Sequence, residues 1–443
     1  MPIQRGAVGE AGRVWMVTVI HHPERERIGL GRPVPRRGRL ALGRGATTGL
    51  PGALDAPGVS REHAAFELAG DGVRVVDLGS KNGTWIDGEP VTDRAVGDGA
   101  LVQLGAVLVR VHRGAPRVSA GRPGDDGLVG ISDAIAALRK ELGTVAPHTT
   151  SVMILGETGT GKELVARAVH ARSGRRGALI PVNCGALPDE LLASALFGHV
   201  RGAFTGAVKD KAGLVAAAHG GTLLLDELGD ASPRLQAALL RVLEDQRFRP
   251  VGATTVREAD VRWVAAAQPV IEQRVAAGDF RLDLWTRLSP WVLRVPPLGD
   301  RPEDIPLLAA TFAEALAPGT SLTVELARAL VARAWPGNVR ELRAAVERLV
   351  VTAGGAATID VQPWLERPAV APTPPGAAPV APSVAGPATA RRAPRACPPR
   401  DELVALLDAH GGNLKALAEA LDVGRRTLYR WLERRELDPG DFR

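Results

Sequence analysis

The sequence predicts a multidomain chain of three folded parts. These are an all-β sandwich, an α/β domain whose end is helical, and a small all-α unit. Three observations predict this. Short runs of β-formers separated by turn residues fill residues 13–113. Apolar strands alternate with longer helical patterns over 128–366, as in a parallel α/β sheet. Two breaks in composition separate the parts: a Gly/Pro/Asp-rich linker at 114–127 and a Pro/Ala-rich one at 367–400.

Bulk properties set limits without choosing a function. The 443 residues are too many for one core. With 45% hydrophobic residues the composition is that of a globular protein. Lys+Arg number 55 against 49 Asp+Glu, an excess that permits nucleic-acid binding without requiring it. Cys184 and Cys397 lie far apart, so no disulfide framework is expected. The first twelve residues lack the apolar stretch of a secretory signal, and no long uninterrupted apolar run suggests a membrane span. A cytoplasmic protein with no membrane partner is the expectation.

In the first part, strands are expected at 14–20, 39–42, 64–68, 73–78, 84–86, 100–104 and 107–111. Gly, Asp, Asn and Pro punctuate them. The second part opens on the apolar run 151–155, which leads into Gly156-Glu157-Thr158-Gly159-Thr160-Gly161-Lys162. Glycines there let backbone N–H groups wrap phosphate oxygens at a helix start, and Lys162 would reach the β- and γ-phosphates of a bound nucleotide. Further on, Gly220-Gly-Thr-Leu-Leu-Leu gives a buried strand ending at Asp226-Glu227. Carboxylates emerge there at the C-terminal strand end, where α/β sheets bind ligands. Asp226 would hold Mg²⁺ through water and Glu227 would polarise the attacking water. A nucleotide and Mg²⁺ are therefore the expected cofactors, and the resemblance given below implies that the nucleotide is ATP.

The third part, 401–437, holds three short helical patterns broken at Gly411-Gly412 and at 422–424. Its last pattern, 425–435, carries five arginines against one glutamate. Leu428, Trp431 and Leu432 have the spacing of a buried face. Arg425, Arg426, Thr427, Tyr429 and Arg430 would face DNA. So small a unit is expected to dimerise.

Between the two halves of the phosphate site stands Gly202-Ala203-Phe204-Thr205-Gly206-Ala207, preceded by Leu196-Phe-Gly-His199. Together with the phosphate loop, this segment resembles the AAA+ domain of bacterial sigma-54-dependent enhancer-binding proteins. The resemblance implies that 202–207 is the loop that touches sigma-54. It also explains Glu163 where generic phosphate loops carry Ser or Thr. It implies that Asn183 restrains Glu227 until the target is engaged, although a strand-end turn residue fits the sequence equally. Phe280-Arg281-Leu-Asp-Leu-Trp-Thr-Arg287 is similar to the family segment whose two arginines reach the nucleotide of a neighbouring subunit, which implies a homo-oligomer, from dimer to hexameric ring. Trp335-Pro-Gly-Asn-Val-Arg340 is similar to the start of the family lid, where Arg340 would contact the γ-phosphate in its own subunit.

At the N-terminus, Gly43-Arg44, Ser60-Arg61-Glu-His63 and Ser80-Lys81-Asn82-Gly83-Thr84 resemble a forkhead-associated (FHA) domain. The resemblance implies phosphothreonine binding by Arg44, Ser60 and Arg61, with Asn82 on the peptide backbone and Lys81 as a further contact. A Ser/Thr protein kinase is then the implied source of the signal. The C-terminal unit resembles a Fis-type helix-turn-helix, which implies an upstream DNA site. The whole resembles an ATP-driven activator of sigma-54 RNA polymerase. Two departures stand out. Ala267-Gln268 replace a Thr-Asn pair that senses the γ-phosphate, so ATP turnover is expected to be retained at a reduced rate. Gly299-Asp300 replace a more basic stretch. Two other functions stay open on these residues: a DNA-binding repressor with an impaired ATPase, and an AAA+ remodeller of another target.

Overall fold

The computed structural model describes residues 13–45, 49–50, 52, 54–115, 127–186, 188–204 and 206–361, with Arg400, Leu403, Val404, Leu407, Leu417, Leu432 and Leu437. Two units divide the chain, 1–372 and 373–443.

The N-terminal domain is a two-sheet sandwich. One sheet has the order β2-β1-β10-β9-β6-β7, built from β1 (Val14–His21), β2 (Gly31–Pro33), β6 (Thr84–Ile86), β7 (Glu89–Val91), β9 (Leu101–Leu104) and β10 (Val107–Gly114). Its partner has the order β3-β4-β5-β8, from β3 (Leu40–Leu42), β4 (Ala64–Ala69), β5 (Gly72–Asp77) and β8 (Asp93–Val96). Alternate residues point inward: Val17 and Val19 of β1, Val73 and Val75 of β5, and Val107, Val109 and Val111 of β10 share one core. Strands β2, β7 and β8 were not expected from the sequence. All three are sheet edges, and two contain proline, which an edge tolerates because its N–H side need not pair.

The second domain has a parallel five-stranded sheet of order β12-β15-β18-β11-β19. Its strands are β11 (Val152–Leu155), β12 (Leu179–Asn183), β15 (Thr222–Asp226), β18 (Arg262–Ala267) and β19 (Trp291–Arg294). These strands are buried on both faces, which is why they read as continuous apolar runs. Ile154, Leu224 and Val264 pack under α1 (Asp133–Val145) and α2 (Lys162–Ala171). Met153, Leu155, Leu223, Leu225 and Trp263 face the other way, onto α3 (Asp189–Phe197), α4 (Leu214–Ala217), α5 (Pro233–Asp245), α6 (Ile271–Ala277) and α7 (Leu282–Leu288). Serine caps start α1 and α5: Ser132 and Ser232 Oγ accept from Ile135 N and Leu235 N, each at 3.2 Å. Arg262 is fully buried and finishes α1, donating to the carbonyls of Ala146 (2.6 Å) and Val145 (3.1 Å).

Two hairpins project from this sheet, β13 (Gly198–His199) with β14 (Lys211–Ala212), and β16 (Arg247–Phe248) with β17 (Arg257–Glu258). The lid follows: α8 (Asp304–Leu316), α9 (Val324–Ala332) and α10 (Asn338–Ala353) enclose Leu298, Leu326, Leu330, Trp335, Leu342, Val346 and Leu349. A short parallel pair, β20 (Ser321–Leu322) with β21 (Thr358–Ile359), ties its ends. In the 373–443 unit, Leu403, Leu407, Leu417 and Leu432 are helical and buried. Among the described residues no helix is long and apolar enough to cross a membrane.

Candidate nucleotide site and ligand loops

The turn from β11 into α2 forms the phosphate loop. Gly159 and Gly161 take positive φ of 78° and 104°, a region L-residues avoid. The loop is held from several sides. Gly156 N donates to Ala267 O (3.2 Å), and Thr160 Oγ1 donates to Glu157 O (2.9 Å). Lys162 Nζ donates to the carbonyls of Gly156 (2.8 Å) and Glu157 (3.0 Å). Partial burial pulls the Lys162 ammonium below the usual lysine range, opposed by Asp226 and Glu227. A cavity of about 430 Å³ opens over the loop. Thr158, Gly159, Gly161, Lys162, Glu163, Asp226, Glu227 and Arg340 all line it, so residues far apart in sequence converge there. Glu163 Oε1 accepts from Arg167 Nη2 at 2.6 Å, one helical turn on.

Asp226 is the last residue of β15 and Glu227 follows it, so both lie at the C-terminal end of that buried strand. Glu227 has φ 52° and ψ 38°, a costly setting for a residue with a Cβ. Its Oε2 accepts from Asn183 Nδ2 at 2.7 Å, and Asn183 Oδ1 accepts from Gly185 N at 2.8 Å. Asn183 thus makes the turn contact and the Glu227 contact together. Gln268 and the buried Ala267 both line the same cavity.

Arg281 and Arg287 do not line this cavity among the described residues. They share a shallow depression with Glu244 and Thr286 elsewhere on the domain, and Arg281 Nη2 pairs with Asp283 Oδ2 at 2.7 Å.

Residues 202–204 and 206–207 lie in the connection between β13 and β14. Gly202 and Gly206 have φ 80° and 102°, and Gly202 N donates to Ala207 O at 2.9 Å. Phe204 is 37% exposed, its ring edge-to-face with His199 at 5.0 Å. The His199 ring nitrogen Nδ1 lies 2.8 Å from Ser194 Oγ on α3. Ala207 is buried, so not every residue of the segment faces outward. Thr205 lies outside the described residues.

On the sandwich, the three candidate loops meet at one end. Arg44 N donates to Ser60 O (3.0 Å) and Gly45 N to Arg61 O (2.9 Å). Ser60 Oγ accepts from Lys81 N at 3.0 Å, and Asn82 Nδ2 donates to Gly58 O at 2.9 Å. His63 is fully buried behind them, accepting from Ser60 N at its Nδ1 (3.1 Å) and bonded to Gly83 O through Nε2 (3.2 Å). Burial pulls its imidazole below the ordinary range, which favours the neutral form that accepts this bond. The side chains of Arg44, Arg61, Lys81 and Asn82 are exposed around Ser60.

Comparison with known proteins places this architecture. The chain is 41% identical over 314 residues to the transcriptional regulatory protein ZraR of Klebsiella oxytoca, covering 70% of this chain and 69% of that one. It is 40% identical over 379 residues to the anaerobic nitric oxide reductase transcription regulator NorR of Aeromonas hydrophila, covering 79% and 74%. The profile of the sigma-54 interaction domain matches residues 128–294, and that of the AAA+ ATPase lid domain matches 299–364. The chain belongs to the sigma-54 enhancer-binding regulators. An FHA domain matches at 41–105, and the Fis family of bacterial regulatory proteins matches at 400–434. Among solved structures, NtrX from Brucella abortus in complex with ADP superposes with a TM-score of 0.51 at 34% identity, covering 71% of this chain and 70% of that one. The fold class expected from the sequence holds: FHA sandwich, AAA+ ATPase with its lid, helix-turn-helix.

Within this enhancer-binding regulator the expected DNA-facing residues Arg425, Arg426, Thr427, Tyr429 and Arg430 lie outside the described residues. Other residues of the nucleotide site escaped the sequence reading. Asn338 is buried at φ 53° and bolts the lid to the phosphate loop: its Nδ2 donates to Glu157 Oε2 (3.0 Å) and Thr158 O (3.1 Å), and its Oδ1 accepts from Leu298 N (2.7 Å). The Gly-Asn dipeptide before α10 was the available signal. Arg343 lines the cavity one turn beyond Arg340, a spacing legible once the helix is placed. Val270, Ile271, Phe312 and Val339 supply its apolar wall, and no local pattern marks them.

Proposed function

We propose that this regulator couples ATP hydrolysis to remodelling of sigma-54 RNA polymerase for open-complex formation. Phosphothreonine recognition at its FHA loops controls it, and its C-terminal helices tether it to an upstream DNA site. The observation that carries this is the exposed Phe204 on a hairpin of the same domain whose sheet ends in the nucleotide cavity. Lys162 and the phosphate-loop amides neutralise the β- and γ-phosphates. Asp226 sits in the same cavity, a donor set that suits Mg²⁺, which takes one or two carboxylates and completes its shell with phosphate and water. Asp226 would hold Mg²⁺ there, and the ion would supply charge neutralisation for the nucleotide's phosphates. Glu227 accepts the proton of the attacking water as the β–γ bridging bond breaks, and ADP and phosphate leave. While Asn183 holds Glu227, the base is turned from that water, so release of this contact sets the resting rate. Arg340 meets the γ-phosphate in its own subunit. Arg281 and Arg287 lie apart from this cavity and serve a neighbour's, which makes a ring, up to a hexamer, the active assembly.

The test is ATP-dependent open-complex formation by sigma-54 polymerase with wild type and Phe204→Ala in parallel. Open complexes with wild type alone, at equal ATP turnover, are expected. Equal activation by both would remove Phe204 from the coupling.

A further inference from the structure

The sandwich is seated on the ATPase lid through a built interface. Ile20 of β1, Leu101 of β9 and Leu108 of β10 are buried against Val324 of α9, with Ile131 and Val331 alongside. Polar contacts ring this apolar centre. Arg110 Nη1 pairs with Glu303 Oε2 at 2.6 Å, with side chains only 17% and 12% exposed. Gln103 Nε2 donates to Glu325 Oε1 (3.2 Å), and Arg328 Nη1 donates to Gln103 Oε1 (3.3 Å). Arg25 Nη2 donates to Thr311 Oγ1 on α8 at 2.6 Å.

Each side of this interface leads to a ligand site. On the sandwich side, the β9–β10 turn begins two residues after Gln103. Ala106 N in that turn donates to Pro57 O (3.0 Å), and a Cβ on Gly105 would meet the Gly58 carbonyl carbon at 2.5 Å. Gly58 O is the acceptor for Asn82, beside Ser60. On the lid side, Glu303 adjoins the buried Asp304, which accepts from Ser132 N and Ser132 Oγ, each at 2.8 Å. Asp304 faces Arg301 at 3.9 Å, and Arg301 Nη2 donates to Thr160 O of the phosphate loop at 3.2 Å.

We propose that the sandwich–lid contact is a coupling surface through which occupancy of the phosphothreonine loops and of the nucleotide cavity are thermodynamically linked, with Arg110–Glu303 and Gln103–Glu325/Arg328 as its specific contacts. This rests on the reading that the FHA loops bind phosphothreonine. The lid carries Arg340 and Asn338 over the nucleotide, so a bound nucleotide fixes its position. Peptide between Ser60 and Asn82 fixes the 57–60 loop and, through the 105–106 turn, the strand bearing Gln103. A largely buried ion pair and an apolar contact between the two sides give each ligand site a path by which it biases the other.

The test uses the full-length protein, a fluorescent ADP analogue, and a degenerate peptide library with phosphothreonine fixed and its flanks randomised. Binding of the library is followed by anisotropy and folding by thermal melting. In wild type, saturating library should change the ADP-analogue affinity by about 5-fold or more, the lower end of usual coupling. Arg110→Glu, and the milder Gln103→Ala, should reduce that change toward none, and the charge swap Arg110→Glu with Glu303→Arg should restore it. A wild type that binds the library with no change in ADP affinity would overturn the linkage. So would a shift that persists undiminished in both single variants. Failure of the library to bind would refute the phosphothreonine reading instead. The ADP affinities of Arg110→Glu and its charge-swapped partner then decide the rest: loss and restoration keep the lid contact as a control on the nucleotide site, and identical affinities remove it.

Discussion

The phosphate loop and the FHA loops, proposed above to hold a nucleotide and a phosphothreonine, are built in opposite ways. In the ATPase, backbone amides surround the site, Lys162 is drawn partly inside, and the lid is bolted to the loop by Asn338. On the sandwich, the loop backbones are pinned to one another while Arg44, Arg61 and Lys81 extend into solvent. An enclosed site suits chemistry, because fixed dipoles in a dry cavity stabilise developing charge. An open cluster of guanidinium groups suits reversible capture of a charged segment that must come and go. The difference predicts that substitutions in the first region act on the rate of ATP turnover, and those in the second on phosphopeptide affinity.

The largest expected effect breaks the enclosed side. Glu227→Gln keeps the carbonyl that faces Asn183 but removes the base, so ATP turnover should fall about 10²- to 10⁴-fold while nucleotide binding persists. Turnover within a few-fold of wild type would take Glu227 out of the chemistry. Arg61→Ala sharpens the open side. Its exposed side chain should contribute roughly 1.5–3 kcal/mol to a phosphate contact, about a 10- to 100-fold loss of affinity in phosphopeptide titrations. Its carbonyl, which holds Gly45 N, is untouched, so the melting temperature should not move.

A smaller effect concerns the join between the two regions. His21 is buried at the sandwich–lid contact, and burial, with the neighbouring His22, holds its imidazole at about 4. The folded value lies below the unfolded value, so the unfolded chain takes up the proton first as pH falls. Stability is complete above about pH 6.5 and declines toward pH 4, by up to roughly 1.4 kcal/mol per pH unit. Burial lowers His22, His63, His112 and His170 in the same direction. Melting temperatures that stay flat from pH 7 to pH 5 would contradict this.

Legibility in the sequence followed local pattern. Strands such as β1, rich in Val, Ile and Thr, and β15, a run of leucines, announce themselves, as does the glycine-rich turn into α2. Edge strands β2, β7 and β8 do not: they are short, and Arg32, Pro33, Pro90 and Arg94 break the apolar alternation that a core strand needs. Asn338 and Arg301 act across the lid–loop gap, so their roles exist only once the tertiary fold brings 157–160 and 298–338 together. The seating of the sandwich on the lid is written in scattered residues, Ile20, Gln103, Arg110 and Val324, each ordinary in its own segment. The pairing of Asn183 with Glu227 was legible through a family resemblance and equally readable as a turn; the geometry shows both contacts at once.

On the proposed coupling, the nucleotide state of the enclosed site governs engagement of sigma-54 by the Phe204 hairpin. Binding of purified sigma-54 to the full-length protein is measured with ADP–aluminium fluoride, with ADP alone, and with Phe204→Ala in ADP–aluminium fluoride. A stable complex is expected only for wild type with the transition-state mimic. Sigma-54 binding that is absent under all three conditions, or that ignores both the nucleotide and Phe204, would contradict it.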